Sequence, residues 1–218
     1  MELLFLFLIL LKPIFALHLN LWRLLQASAG AIYQKNKVVV PSVGKLFVYE
    51  VNMNDKLIKF YTEDGVNNQG LTFHEILDLS DRDLETNHEY IQWLFPTLTP
   101  SACVEGSPVL DDETIAALIG NETFRHRYHA AIILMLNFWN IPCDTTLKVQ
   151  PLMGNKEWAS GGNHNLRRIA RFLESVTLLR YNDVAKDLFG KLLEYSLTPE
   201  GREITKTNIY YWYKSLNV

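Results

Sequence analysis

Between Asn121 and Trp139 apolar side chains recur at helical spacing: Phe124, Tyr128, Ile132, Met135 and Trp139 form one line, and Ala131, Leu134 and Phe138 widen it. A stripe that wide predicts a long helix at the centre of a helical domain, ended by Pro142. The flanking sequence repeats the helical texture with start and stop signals. Leu57, Ile58, Phe60 and Tyr61 form a short apolar face that stops at Glu63-Asp64-Gly65. Thr72 with Glu75 is a capping-box pattern ahead of Phe73, Ile76 and Leu77, and Ser80 with Asp83 repeats the device. Asp111 is placed to cap a helix that Gly120 closes. Periodic stretches return over Asn163 to Arg180, Asp183 to Tyr195 and Thr205 to Leu216. The expected fold is all-α: a single irregular helical domain of about seven helices over residues 57–218, with a hydrophobic N-terminal extension.

The remaining segments read differently. Residues 1–29 are strongly apolar but broken by Lys12 and Pro13, and Ala27-Ser28-Ala29 resembles a signal-peptide cleavage site. That segment is a signal, an anchor or an extra helix, and residues 3–25 are the part through which the chain would associate with a membrane. Cleavage near Ala29 would make the protein secreted. Residues 30–56 form a connecting segment, irregular or weakly extended. Residues 143–162 lack periodicity and form a long excursion of the functional kind.

A chain of 218 residues buries roughly 70% of its unfolded surface and needs neither disulfides nor metals to fold. Cys103 and Cys143 fit no zinc spacing, and a bridge between them becomes credible only in a secreted chain. The net charge of −3 gives no general attraction to nucleic acid, and none is expected as a partner. Phosphate-loop, dinucleotide and nucleophile-elbow signatures are absent, so no cofactor and no catalytic residue is assigned.

Residues 84–96 concentrate the costly side chains. Glu85, His88, Gln92 and Trp93 stand among Leu84, Tyr90, Ile91, Leu94 and Phe95, so polar groups must find partners beside a buried surface. Glu85 and His88 have the Glu-x-x-His spacing of di-metal bundles, but no second copy exists and no metal site is assigned. His126 and His129 read as a solvated face or a polar helix contact. Gly161-Gly162 before the next helix, with Arg167, Arg168 and Arg171 nearby, could take an anion; alternatively these arginines pair with acidic residues such as Glu85 and Asp83.

These motifs resemble the opioid growth factor receptor family. Phe60-Tyr61, the run Gly70 to Leu77, Asp83-Leu84-Glu85 and Tyr90 to Pro96 match its first signatures in order. Met135 to Phe138 matches the end of its long helix, and Trp158, Asn163-His164-Asn165, Arg168-Ile169, Arg171 and Leu173 match its second signature. The agreement spans about residues 57–216. Two positions depart from the family pattern: Phe138-Trp139-Asn140 stands where Phe-Tyr-Gly is usual, and Ala170 where Thr is usual.

The resemblance implies a non-enzymatic receptor domain that binds a short opioid-like peptide of the enkephalin type, membrane-associated or intracellular at the nuclear periphery. The candidate ligand-binding residues are Glu85, His88, Gln92 and Trp93 on one segment and Asn163, His164, Asn165, Arg168 and Arg171 on the other. The expected arrangement sets the two segments face to face in one polar cluster, with Glu85 available to a peptide amine and an arginine to its carboxylate. Two other readings stand beside it: an enzyme using Glu85 and His88 with His164 and Arg168, and a purely structural interaction domain.

Overall fold

The computed structural model describes residues 37–42, 45–50 and 55–218. The apolar segment 1–29, with its membrane and cleavage readings, lies outside the described residues. The chain divides after Asn52 into two units. In the first, β1 (Lys37–Ser42) and β2 (Lys45–Glu50) pair antiparallel, with Lys37 opposite Glu50 and Ser42 opposite Lys45. The connecting segment therefore contains a hairpin where an irregular or weakly extended chain was expected. Val38 to Val40 and Leu46 to Val48 supply β-branched and apolar residues, and the pairing tolerates Pro41 because a two-stranded ribbon is all edge.

The second unit, Met53–Val218, is helical. Its α-helices are α1 (Asp55–Thr62), α2 (Phe73–Leu77), α3 (Asp81–Thr86), α4 (Tyr90–Leu94), α5 (Asp112–Ile119), α6 (Glu122–Phe138), α7 (Asn165–Leu178), α8 (Asn182–Ser196) and α9 (Lys206–Lys214). The all-α expectation holds for this unit. The described residues hold nine α-helices instead of about seven, chiefly because residues 80–96 split into two short ones. None of them is long and apolar enough to cross a membrane.

Local chemistry explains the helix starts. The Thr72 hydroxyl accepts from the Glu75 amide while Glu75 Oε2 accepts from the Thr72 amide at 2.8 Å, a closed capping box. Ser80, Asp111 and Asn121 cap α3, α5 and α6 through their side-chain oxygens. Thr205 and Asn208 form a second capping box at α9 that the sequence pattern did not single out.

The long central helix is α6. Phe124, Tyr128, Ala131, Ile132, Met135 and Leu136 are buried along it, whereas Arg125, His126 and Asn137 face solvent. Helices α1, α2 and α5 pack on α6, and α8 and α9 pack on α7. The end of α4 joins the two halves: the Phe95 ring lies 5.6 Å from Tyr128 of α6 and 4.8 Å from Phe172 of α7. Trp139 meets Phe172 at 5.5 Å, and the buried Tyr128 hydroxyl donates to Ser175 Oγ at 2.9 Å.

Both central helices end in the same way. Asn140 follows α6 with φ 52°, its amide donates to Asn137 O, and the Ile141 amide donates to Leu136 O. Arg180 follows α7 with φ 70°, with equivalent bonds from Arg180 to Thr177 O and from Tyr181 to Val176 O. These are Schellman motifs, which place one residue in the left-handed region. The departure at Asn140 is thereby intelligible, since Asn tolerates that conformation best after Gly.

Candidate functional site

The run 84–96 does not form one helix. Helix α3 ends at Thr86, Asn87 turns the chain with ψ 130°, and α4 restarts at Tyr90. The Glu85, His88 and Gln92 side chains therefore stand on a helix, in a turn and on a second helix, respectively. Asn87 holds the turn through all its polar groups. Its amide donates to Asp83 O, its Oδ1 accepts from the Glu89 amide at 2.8 Å, its Nδ2 donates to Gln69 Oε1 at 2.7 Å, and its carbonyl accepts from Arg168.

Arg168 of α7 fills the space that this turn opens. Its side chain is buried, 5% exposed, and its Nη1 donates to Leu84 O at 2.8 Å and to Asn165 Oδ1 at 3.3 Å. Nη2 donates to Glu85 O at 3.1 Å and Asn87 O at 2.9 Å, and lies 3.1 Å from His88 Nδ1. The guanidinium thus completes the carbonyls that α3 leaves open at its C-terminus, where a cation is also favoured by the helix dipole. Tyr90 adds its hydroxyl to Leu84 O at 3.0 Å. Burial pushes that phenol above its ordinary value, partly opposed by Arg168.

Glu85 directs its carboxylate elsewhere. Oε2 accepts from Asn165 Nδ2 at 2.9 Å, and Oε1 lies 3.3 Å from His164 Nε2 without hydrogen-bond alignment. His164 and His88 meet edge to face at 5.3 Å. Burial first, then Arg168, holds the His164 imidazole below its ordinary value, with Glu85 opposing. A relay of indoles backs the cluster: Trp158 Nε1 donates to Trp139 O at 2.7 Å, and Trp139 Nε1 donates to Asn165 Oδ1 at 3.2 Å.

The structure therefore brings Glu85, His88, His164, Asn165 and Arg168 together and leaves four candidates outside. Arg171 Nη1 donates to Phe95 O at 3.0 Å, completing the end of α4. Asn163 braces the turn before α7, accepting from the Asn165 amide at 2.8 Å. Gln92 reaches only His88 O through Nε2, at 3.4 Å. Trp93 packs against Phe60 at 5.3 Å, with Lys56 Nζ 5.1 Å from its ring centroid.

Two expectations are corrected. Arg168 and Arg171 meet carbonyl oxygens instead of the carboxylates of Glu85 and Asp83, because the ends of α3 and α4 leave backbone carbonyls without helical partners. The anion site before α7 is already used internally, since the Gly161 amide donates to Glu203 Oε2 at 2.7 Å. Among the described residues no cluster of three or more His, Cys, Asp or Glu is arranged for a metal, and Cys103 and Cys143 are free thiols.

A shallow, open groove of about 510 Å³ lies on the outer side of the turn, with Gln69 and Thr86 to Glu89 on one side and Cys103 to Glu105 on the other. Asn68 Nδ2 ties the far wall down through Gly106 O at 3.0 Å. Two carboxylates and no lysine or arginine line it. Of the sequence candidates only His88 lines the groove; Asn87, Glu89 and Glu105 were missed. Thr86-Asn87-His88, a turn-favouring asparagine within the polar stretch Glu85 to Glu89, was the available signal.

No solved structure matches the chain. The opioid growth factor receptor of Mus musculus is 30% identical over 119 residues, covering 52% of this chain and 19% of that relative. The chain's match thus spans less than a fifth of the relative's length. The family profile described as the opioid growth factor receptor conserved region matches residues 50–217. That match takes in the whole of the helical unit from α1 to α9, including both segments joined through Arg168, and the chain belongs to the opioid growth factor receptor family.

Proposed function

We propose that the helical unit is a receptor-type, non-enzymatic binding domain for a short opioid-like peptide of the enkephalin type, taken up in the groove beside His88. The supporting observation is the groove itself: an acidic, open surface feature held on one side by the Asn87 turn and on the other by the Asn68–Gly106 bond. An extended peptide with a free amino terminus is complementary to it in charge. Membership in a receptor family points the same way, and the buried Arg168 guanidinium is occupied by backbone carbonyls.

The enzyme reading draws less support, since the guanidinium of Arg168 is buried and spent on backbone carbonyls. A structural role for the Arg168 cluster agrees with its geometry and is compatible with binding in the groove outside it. Calorimetric titration of the full chain with an enkephalin-type peptide tests the proposal. Saturable heat that Glu105→Lys diminishes supports it. No heat from protein whose helical circular dichroism is intact rejects it.

A further inference from the structure

One side chain belongs both to the groove and to the buried cluster behind it. His88 lines the groove, and its Nδ1 lies 3.1 Å from Arg168 Nη2. A guanidinium only donates, so this contact requires the lone pair of His88 on Nδ1 and its proton on Nε2. The contact exists only while the ring is neutral. A second proton on the ring would set an N–H against a guanidinium that keeps its own charge throughout the working range of pH.

The inner side of the ring has no room for that charge. Arg168 faces it from α7, and the His164 ring, just before α7, meets it edge to face at 5.3 Å. Glu85 of α3 is the carboxylate on this side, and it is engaged elsewhere: Oε2 accepts from Asn165 Nδ2 at 2.9 Å, and Oε1 lies 3.3 Å from His164 Nε2. Burial first, then Arg168 and, more weakly, His88 hold the His164 imidazole below its ordinary value against the pull of Glu85. The outer side has the opposite character. His88 is exposed, and the groove in front of it carries Glu89 beside the ring and Glu105 on the far wall, with the Cys103 thiol. A protonated ring is therefore repelled inward and attracted outward.

We propose that His88 is a proton-operated gate of the groove: acidification frees its ring from Arg168 and turns it outward towards Glu89 and Glu105, where its charge displaces a cationic ligand. Histidine suits this role because it changes charge between about pH 5 and 8. The inference rests on the peptide-binding reading above and supplies its regulation, a peptide amine held near neutrality and released in acid. The backbone does not have to move with the ring. Asn87 keeps its bonds to Asp83 O, Gln69 Oε1 and the Glu89 amide, none of which involves the imidazole.

The test uses the full chain labelled with nitrogen-15 and carbon-13. At pH 7.5 the His88 ring is expected as the Nε2–H tautomer, with a nuclear Overhauser contact to the His164 ring. At pH 5.5 it is expected to carry both protons and to lose that contact while the helical circular dichroism stays intact. Calorimetric titration with the enkephalin-type peptide at pH 7.0 and 5.5 is expected to show affinity about tenfold lower in acid. His88→Gln, whose amide oxygen accepts from Arg168 without titrating, is expected to lose most of that difference, whatever its own affinity at pH 7.0. An Nδ1–H tautomer at pH 7.5, a His164 contact that survives protonation, or an equal acid loss in the parent and His88→Gln overturns the gate. No heat at pH 7.0 rejects the peptide-binding reading by itself. The ring measurements need neither peptide nor variant, and they decide the gate in that case and if His88→Gln fails to fold.

Discussion

Arg168 meets three backbone carbonyls from a single planar group, and the geometry makes the residue hard to replace. A lysine keeps the charge but offers a compact point of donors that cannot span Leu84 O, Glu85 O and Asn87 O together. Arg168→Lys is expected to lower unfolding free energy by about 2–3 kcal/mol in urea titration, because buried carbonyls lose their donors. A loss below about 0.5 kcal/mol would mean that water replaces the fork. His164 gives a signed pH dependence. Its value is depressed, by burial first and by Arg168 second, so the folded state favours the neutral ring. The unfolded chain takes up the proton first as pH falls, so this contribution is complete above about 6.5 and is lost as pH drops from there through the folded value. The groups facing the ring are Arg168, His88 and Glu85. Comparing urea midpoints of the parent and His164→Gln between pH 7.5 and 5 checks it, the variant losing less stability on acidification.

Among the elements, the two Schellman ends of α6 and α7 are set by backbone conformation more than by packing. Arg180 is exposed and occupies φ 70°, a conformation that costs an L-residue with a Cβ about 1–2 kcal/mol. Arg180→Gly removes that cost, and after the extra entropy of glycine in the unfolded chain it is expected to stabilise by about 0.5–1 kcal/mol, read as a rise in thermal midpoint. Glycine at Gly65 is required for a different reason. A Cβ there would sit 2.6 Å from the Phe60 amide nitrogen, so Gly65→Ala is expected to disrupt the end of α1, seen as lost amide protection over residues 59–63. Helix existence was legible from caps and periodicity, as at Thr72 and Asn121, because those signals act within four residues. The break at Asn87 was not legible, since the turn depends on Arg168 some 81 positions away. The hairpin at residues 37–50 was obscured because Pro41 and Gly44 read locally as breakers.

At the scale of the whole molecule, α9 closes the core at the end opposite the short N-terminal helices in sequence. Trp212 is fully buried and its indole donates to Leu166 O at 3.0 Å, fixing α9 on the first turn of α7. Trp212→Ala is expected to cost about 3–5 kcal/mol in denaturant unfolding. The larger pattern is that arginines of α6 and α7 finish the short helices before them: Arg127 reaches Phe60 O and Glu63 O, Arg168 the end of α3, and Arg171 the end of α4. Helices of five to eight residues have little stability alone. During synthesis, then, the short N-terminal helices leave the ribosome with their ends unfinished, α1 until Arg127 has emerged and α3 and α4 until Arg168 and Arg171 follow. Until then their aromatic residues are available to chaperones.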